Sequence, residues 1–60
     1  MKFKYYKTNW WGNKIYKNES GTPIVNLEKD GFYSLADHND IDSEPCSKLK
    51  SELIEIVDNF

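Results

Sequence analysis

Residues 23–36, PIVNLEKDGFYSLA, read as a β-hairpin, and the rest of the chain is placed around it. With Lys29-Asp30-Gly31 as the loop, Glu28 faces Phe32, Leu27 faces Tyr33 and Val25 faces Leu35. That register gathers Val25, Leu27, Tyr33 and Leu35 on one face and leaves Asn26, Glu28 and Ser34 on the other. A two-residue Asp30-Gly31 loop would instead oppose Leu27 to Ser34 and Asn26 to Leu35, mixing polar and apolar residues on both faces. A slip of one residue exchanges the faces of a strand, so the cleaner segregation selects the three-residue loop. Such a loop is a turn followed by a left-handed residue, and Gly31 stands where that residue is needed.

The flanking stretches extend the pattern. KFKYYKT, residues 2–8, alternates aromatic and lysine side chains and ends in threonine, a composition that suits a pleated surface. Gly12-Asn13 then reads as a two-residue turn with Trp10 facing Ile15 and Asn9 facing Tyr16, and a short strand follows from about Lys14 to Lys17. Asn18-Glu19-Ser20-Gly21 is a run of turn formers. Pro23 opens the central hairpin at a strand start, where its missing donor matters little. DHNDIDSEP, residues 37–45, holds four carboxylates with Ile41 as its one apolar anchor and reads as a long loop.

Residues 49–60 are ambiguous. On a helix Leu49, Leu53, Ile56, Val57 and Phe60 share a face, with Ile54 misplaced. The β-branched run around Leu53–Val57 and the lack of a convincing capping pair favour a strand. The expected fold is therefore mainly β: one domain, residues 1–60, built as a small antiparallel sheet or open barrel of two hairpins plus a C-terminal strand. The alternative is α+β, three to four strands with residues 49–60 as a covering helix.

Composition narrows the function. A chain of sixty residues buries only about 60% of the surface its unfolded form exposes, so stability is marginal. One cysteine, Cys46, forms no internal bridge, and one Cys with one His makes no closed zinc site. A lone thiol fits a reducing compartment. With no apolar leader in MKFKYYKTNWW and no membrane-length apolar run, a cytoplasmic location is expected. Residues 1–17 carry a charge of +5 and residues 18–60 a charge of −7. Such asymmetry points to a charged partner, or to two halves that pack together. All eight basic residues are lysine, so the chain lacks the guanidinium fork that reads guanine edges.

Two constellations carry the functional expectations. Lys2, Lys4, Lys7, Lys14 and Lys17 interleave with aromatic rings, the pairing by which single-stranded nucleic acids are held: ammonium groups on phosphates, bases on rings. In that reading Tyr6 and Trp11 would be the stacking rings. Alternation along a strand also implies that one of Tyr5-Tyr6 and one of Trp10-Trp11 is core and the other exposed. The plainer account makes the exposed rings cross-strand pairs over a thin sheet. The second constellation is the acidic loop with Asp37, Asp40, Asp42 and Glu44, which would steer a basic protein partner. It lacks the glycine and terminal glutamate of a calcium loop, so no metal is expected.

His38 and Cys46 have no spacing that marks a nucleophile and its base, and no glycine-rich phosphate loop is present. No enzyme and no cofactor is expected. The first expectation is a small protein-interaction domain of the accessory, inhibitor or immunity type. It would bind through Trp10, Trp11 and the acidic residues Asp37, Asp40, Asp42 and Glu44, with self-association through a sheet edge as a variant. The alternative is a single-stranded nucleic-acid or polyanion binder using Lys2, Lys4, Lys7, Lys14, Lys17, Tyr6 and Trp11.

Overall fold

Six strands in one sheet make up the computed structural model, which describes all of residues 1–60. They are β1 (Lys2–Thr8), β2 (Lys14–Asn18), β3 (Pro23–Asn26), β4 (Phe32–Leu35), β5 (Pro45–Lys48) and β6 (Glu55–Ile56). The spatial order is β5-β4-β3-β2-β1-β6, and the sheet is not closed. β1 to β5 run antiparallel as a meander, whereas β6 lies parallel to β1, pairing Lys2 with Glu55 and Phe3 with Ile56. The fold is thus mainly β, as expected, but the sheet is mixed rather than purely antiparallel. Its smallest Cα extent is 17 Å against 25 Å for its longest.

Three hairpin loops recur at nine-residue intervals. In the first, the Asn9 amide donates to the Asn13 carbonyl and the Gly12 amide to the Asn9 carbonyl, while Asn9 Oδ1 accepts from the Asn13 amide at 2.9 Å. The second repeats each bond with Asn18, Gly21 and Thr22. Asn at the first position of a turn and Gly at the fourth is the composition such turns favour, and Gly12 supplies the positive φ, 84°, that returns the chain to the strand. The sequence reading placed the first turn at Gly12-Asn13. The loop is Trp10-Trp11-Gly12 instead, and the partners are Thr8 with Lys14 and Lys7 with Ile15.

The third loop departs from the other two. The expected pairs Glu28–Phe32, Leu27–Tyr33 and Val25–Leu35 are replaced by Asn26–Phe32, Val25–Tyr33 and Ile24–Ser34. The Leu27 amide donates to the Gly31 carbonyl, so the loop is Glu28-Lys29-Asp30, shifted one residue toward the N-terminus. Moving both ends of the loop by one residue preserves side-chain parity. Val25, Leu27, Tyr33 and Leu35 therefore share a face as expected, and Ile15 and Ile41 join them. Ile15, Val25 and Leu35 are the buried centre of that cluster.

The opposite face is apolar as well. Tyr16 pairs with Tyr5 on one side and Ile24 on the other, and Phe3 and Ile24 are buried. Tyr5, Tyr16 and Phe32 form a row of edge-to-face contacts, with centroids 5.8 and 5.7 Å apart. Such pairs add a few tenths to about 1.5 kcal/mol each beyond the area they bury.

Residues 49–60 contain no α-helix. A single 3₁₀ turn at Ser51–Leu53 precedes β6, which is two residues long and anchored by the Met1 ammonium donating to the Leu53 carbonyl at 2.7 Å. The expected C-terminal strand is present, in a much shorter form than the segment suggested, and the covering helix of the alternative is not. β5 is a strand that the sequence reading left out of the sheet.

Candidate functional site: the tryptophan turn and the acidic loop

Asn9 ties the first hairpin loop to the acidic segment 37–44. It is buried, and its Nδ2 donates to the Ile41 carbonyl at 3.1 Å while its Oδ1 holds the Asn13 amide. Next to it, Asp42 Oδ1 accepts from the Trp10 amide at 2.7 Å, and the Asp42 carbonyl accepts from Trp11 Nε1 at 2.9 Å. Residues 31 and 32 positions apart in sequence are stitched into one surface. The basic and acidic halves do meet here, through the Asn9 and Trp11 side chains, backbone groups and one carboxylate.

Neither tryptophan is core. Trp10 is 77% exposed and Trp11 61% exposed, which overturns the expectation that one of the pair is buried. The reason is local: β1 ends at Thr8, so both residues sit in the turn, where strand alternation does not apply. Their rings pack edge to face, centroids 4.7 Å apart and planes at 88°. The Nε1 bond to Asp42 orients the Trp11 ring, and the Trp10 ring packs against it. Tyr5 and Tyr6 are likewise both exposed, because the β1–β2 register shifts between Tyr5 and Lys7.

The acids of the loop divide by what holds them. Asp37 Oδ1 accepts from the Asn39 amide and Asp40 Oδ1 from the Asp42 amide, two Asx turns that shape the loop. Ser43 Oγ reinforces it by accepting the Asp37 amide and donating to the Asp37 carbonyl. With Asp42 on the Trp10 amide, three of the four acids in the candidate set are partly structural. Glu44 is the fourth, exposed and with its carboxylate directed to none of those amides. No group of three His, Cys, Asp or Glu side chains converges as a metal ion would require.

The alternative, lysine-based set is divided by the fold. The Tyr6 ring is already occupied on its face, with Lys17 Nζ 4.0 Å and Lys7 Nζ 5.3 Å from its centroid. Lys4 and Lys14 flank a different groove with Tyr5 and Tyr16, and Lys4 Nζ also lies 5.6 Å from the Phe60 ring. Lys2 is beside Met1 and Phe60 at the foot of β1, and Trp11 stands beside the acidic loop. His38 lies in the hollow beside Tyr6 and Lys17, while the Cys46 thiol is exposed on β5 with Ser47 Oγ at 3.8 Å. The structure brings no catalytic pair together from them.

What the sequence reading missed is the role of Asn9. The signal was present: Asn-x-x-Gly occurs at residues 9–12 and again at 18–21, marking both turns. No helix is long and apolar enough to cross a membrane. Compared with known proteins, the chain matches no family model, no curated protein and no solved structure.

Proposed function

We propose that this protein is a small, non-catalytic protein-interaction domain of the accessory, inhibitor or immunity type, working in the reducing environment of the cytoplasm. It binds its partner through the Trp10–Trp11 pair with the acidic loop as rim. The observation that carries this reading is the pair itself: two exposed, mutually braced indoles fastened to a loop of four acids. Exposed tryptophans are the residues most enriched among interface anchors, each worth about 2–4 kcal/mol where it fills a partner's pocket. The surrounding carboxylates raise the encounter rate with a basic surface and disfavour acidic ones. Fixing the rings before binding reduces the ordering entropy that association would otherwise oppose.

The test is capture from host lysate by tagged wild-type protein and by Trp10→Ala/Trp11→Ala, each with and without nuclease. A protein retained through nuclease by the wild type and lost by the double variant supports the reading. Equal retention by both removes the tryptophans from the interface.

A second reading, binding of a single-stranded nucleic acid or another polyanion, has one observation in its favour: the groove where Lys4 and Lys14 flank Tyr5 and Tyr16. Capture that vanishes with nuclease, and affinity that falls steeply with salt, would move the function to that face.

A further inference from the structure

Between the tryptophan turn and the end of the acidic loop lies a hollow of about 400 Å³, near the lower end of the size range of ligand pockets. Trp11 and Pro45 give it accessible apolar lining with the buried Val25 behind them, and Asn9, Asn13, Ser43 and Glu44 give it polar groups. Its composition sets it apart from the other main hollows on the surface. Each of the other four is lined by at least one lysine. This one has none, and Glu44 is the one ionisable group in its lining.

We infer that this hollow receives the side chain of a lysine or arginine from the partner protein, an inference that rests on the proposed interaction role. The chemistry of the lining suits such a side chain, with apolar groups for its stem and one carboxylate for its head. An apolar stem of three or four methylenes packs against Pro45 and the Trp11 ring, while the charged head reaches the carboxylate. A cation over an indole face is attracted by the ring quadrupole, and tryptophan is the strongest of the aromatic acceptors. The Trp11 ring is held for that task by its Nε1 bond to the Asp42 carbonyl. Glu44 is suited to the counter-charge because Asp37, Asp40 and Asp42 each already accept a backbone amide. An anionic guest would meet the Glu44 carboxylate with no lysine in the lining, and a purely apolar guest would leave that carboxylate partly desolvated and unpaired.

The experiment is an amide and indole NMR titration of the full chain with four probes: N-acetyl-argininamide, N-acetyl-lysinamide, and the neutral isosteres N-acetyl-citrullinamide and N-acetyl-norleucinamide. A cationic probe is expected to shift the Trp11 indole and the Asn13 and Glu44 amides saturably, with a Kd of about 1–10 mM for so small a ligand. Its neutral isostere should bind about tenfold more weakly. Glu44→Gln, which keeps the shape and the backbone bond to Ala36, should lose several-fold in affinity for the cation while retaining a wild-type spectrum. Absence of a saturable shift, equal binding of the isosteres, or an unchanged Glu44→Gln titration overturns the inference.

The two failures remain distinguishable. If the tryptophan double variant loses the captured protein while Glu44→Gln keeps it and the titration is flat, the interaction role stands and the cation pocket falls. If the titration succeeds while partner capture survives loss of both tryptophans, the hollow's preference for a cationic side chain stands, and both the role proposed for the pair and the assignment of that side chain to the captured partner fall.

Discussion

Asn9 and Asn18 open hairpin loops with the same backbone bonds, yet they carry different loads. Both use Oδ1 to accept the amide four residues on. Asn9 alone adds a donor bond from Nδ2 across to the Ile41 carbonyl, and it is buried where Asn18 is half-buried. Aspartate keeps the acceptor and removes the donor, so the same substitution separates the two roles. Asn9→Asp should lose the Ile41 bond and set a carboxylate against a carbonyl, destabilising the fold by about 2–3 kcal/mol. Asn18→Asp should stay within about 0.5 kcal/mol of wild type. Urea denaturation of the two variants measures the difference, and equal losses would show that Asn9 does not pin the acidic loop. Asp42 gives a second residue-scale check. Asp42→Asn retains an acceptor for the Trp10 amide and should remain close to wild type, whereas Asp42→Ala removes it and should lose about 1 kcal/mol, with an upfield shift of the Trp10 amide resonance relative to wild type.

At the scale of elements, the third loop shows both what the sequence makes legible and where that ends. Alternation of Val25, Leu27, Tyr33 and Leu35 was readable because the buried face constrains parity, and parity survived the shift in register. The loop position was not readable from Gly31. In the first two loops glycine is the third loop residue, but the third loop has Asp30 there and Gly31 one place beyond. The backbone accommodates this by putting Glu28 at φ 62°, the one non-glycine residue with positive φ. A non-glycine residue in the left-handed region is strained by roughly 1–2 kcal/mol, against roughly 0.5–1 kcal/mol of extra unfolded-state freedom for glycine. Glu28→Gly should therefore stabilise the domain by about 0.5–1 kcal/mol, since its amide and carbonyl bonds do not involve the side chain. A rise in Tm of about 2–8 °C is the expected reading, and a fall would mean that Glu28 is not held left-handed. The tryptophans and β5 failed for related reasons. Trp10 and Trp11 look like strand residues until Asn9 and Gly12 are recognised as the two ends of a turn. PCSK has no large apolar residue to announce a strand, and it becomes one because β4 offers an unpaired edge.

At the scale of the whole molecule, stability and association state are set by a small core and by how the sheet ends. Six apolar side chains are buried, and a core of that size supports only about 3–5 kcal/mol of net stability. Ile15 has 0% exposure at its centre, so Ile15→Ala, a loss of about 2–5 kcal/mol, should leave the chain largely unfolded by circular dichroism at 25 °C. Ile15→Val, about 0.5–1.5 kcal/mol, should leave it folded. The edges bear on the idea of a dimer through strand pairing. β5 is four residues long, begins with Pro45 and ends with Lys48, and β6 is two residues long. Beyond β6 the outer side of β1 has no strand partner, but it carries Lys4 and Lys7 and an irregularity between Tyr5 and Lys7. Short strands, a terminal proline, lysines and bulges are the devices that keep sheet edges from adding another chain. The wild-type protein should accordingly sediment as a 7.1 kDa monomer at about 100 µM, leaving the tryptophan surface free for a different protein. Pro45→Val/Lys48→Val restores the missing donor and removes the charge, and it should self-associate under the same conditions. A wild-type dimer that persists in the Trp10→Ala/Trp11→Ala background would mean that an edge is open after all, and that pairing between copies competes with the proposed interface for the same molecule.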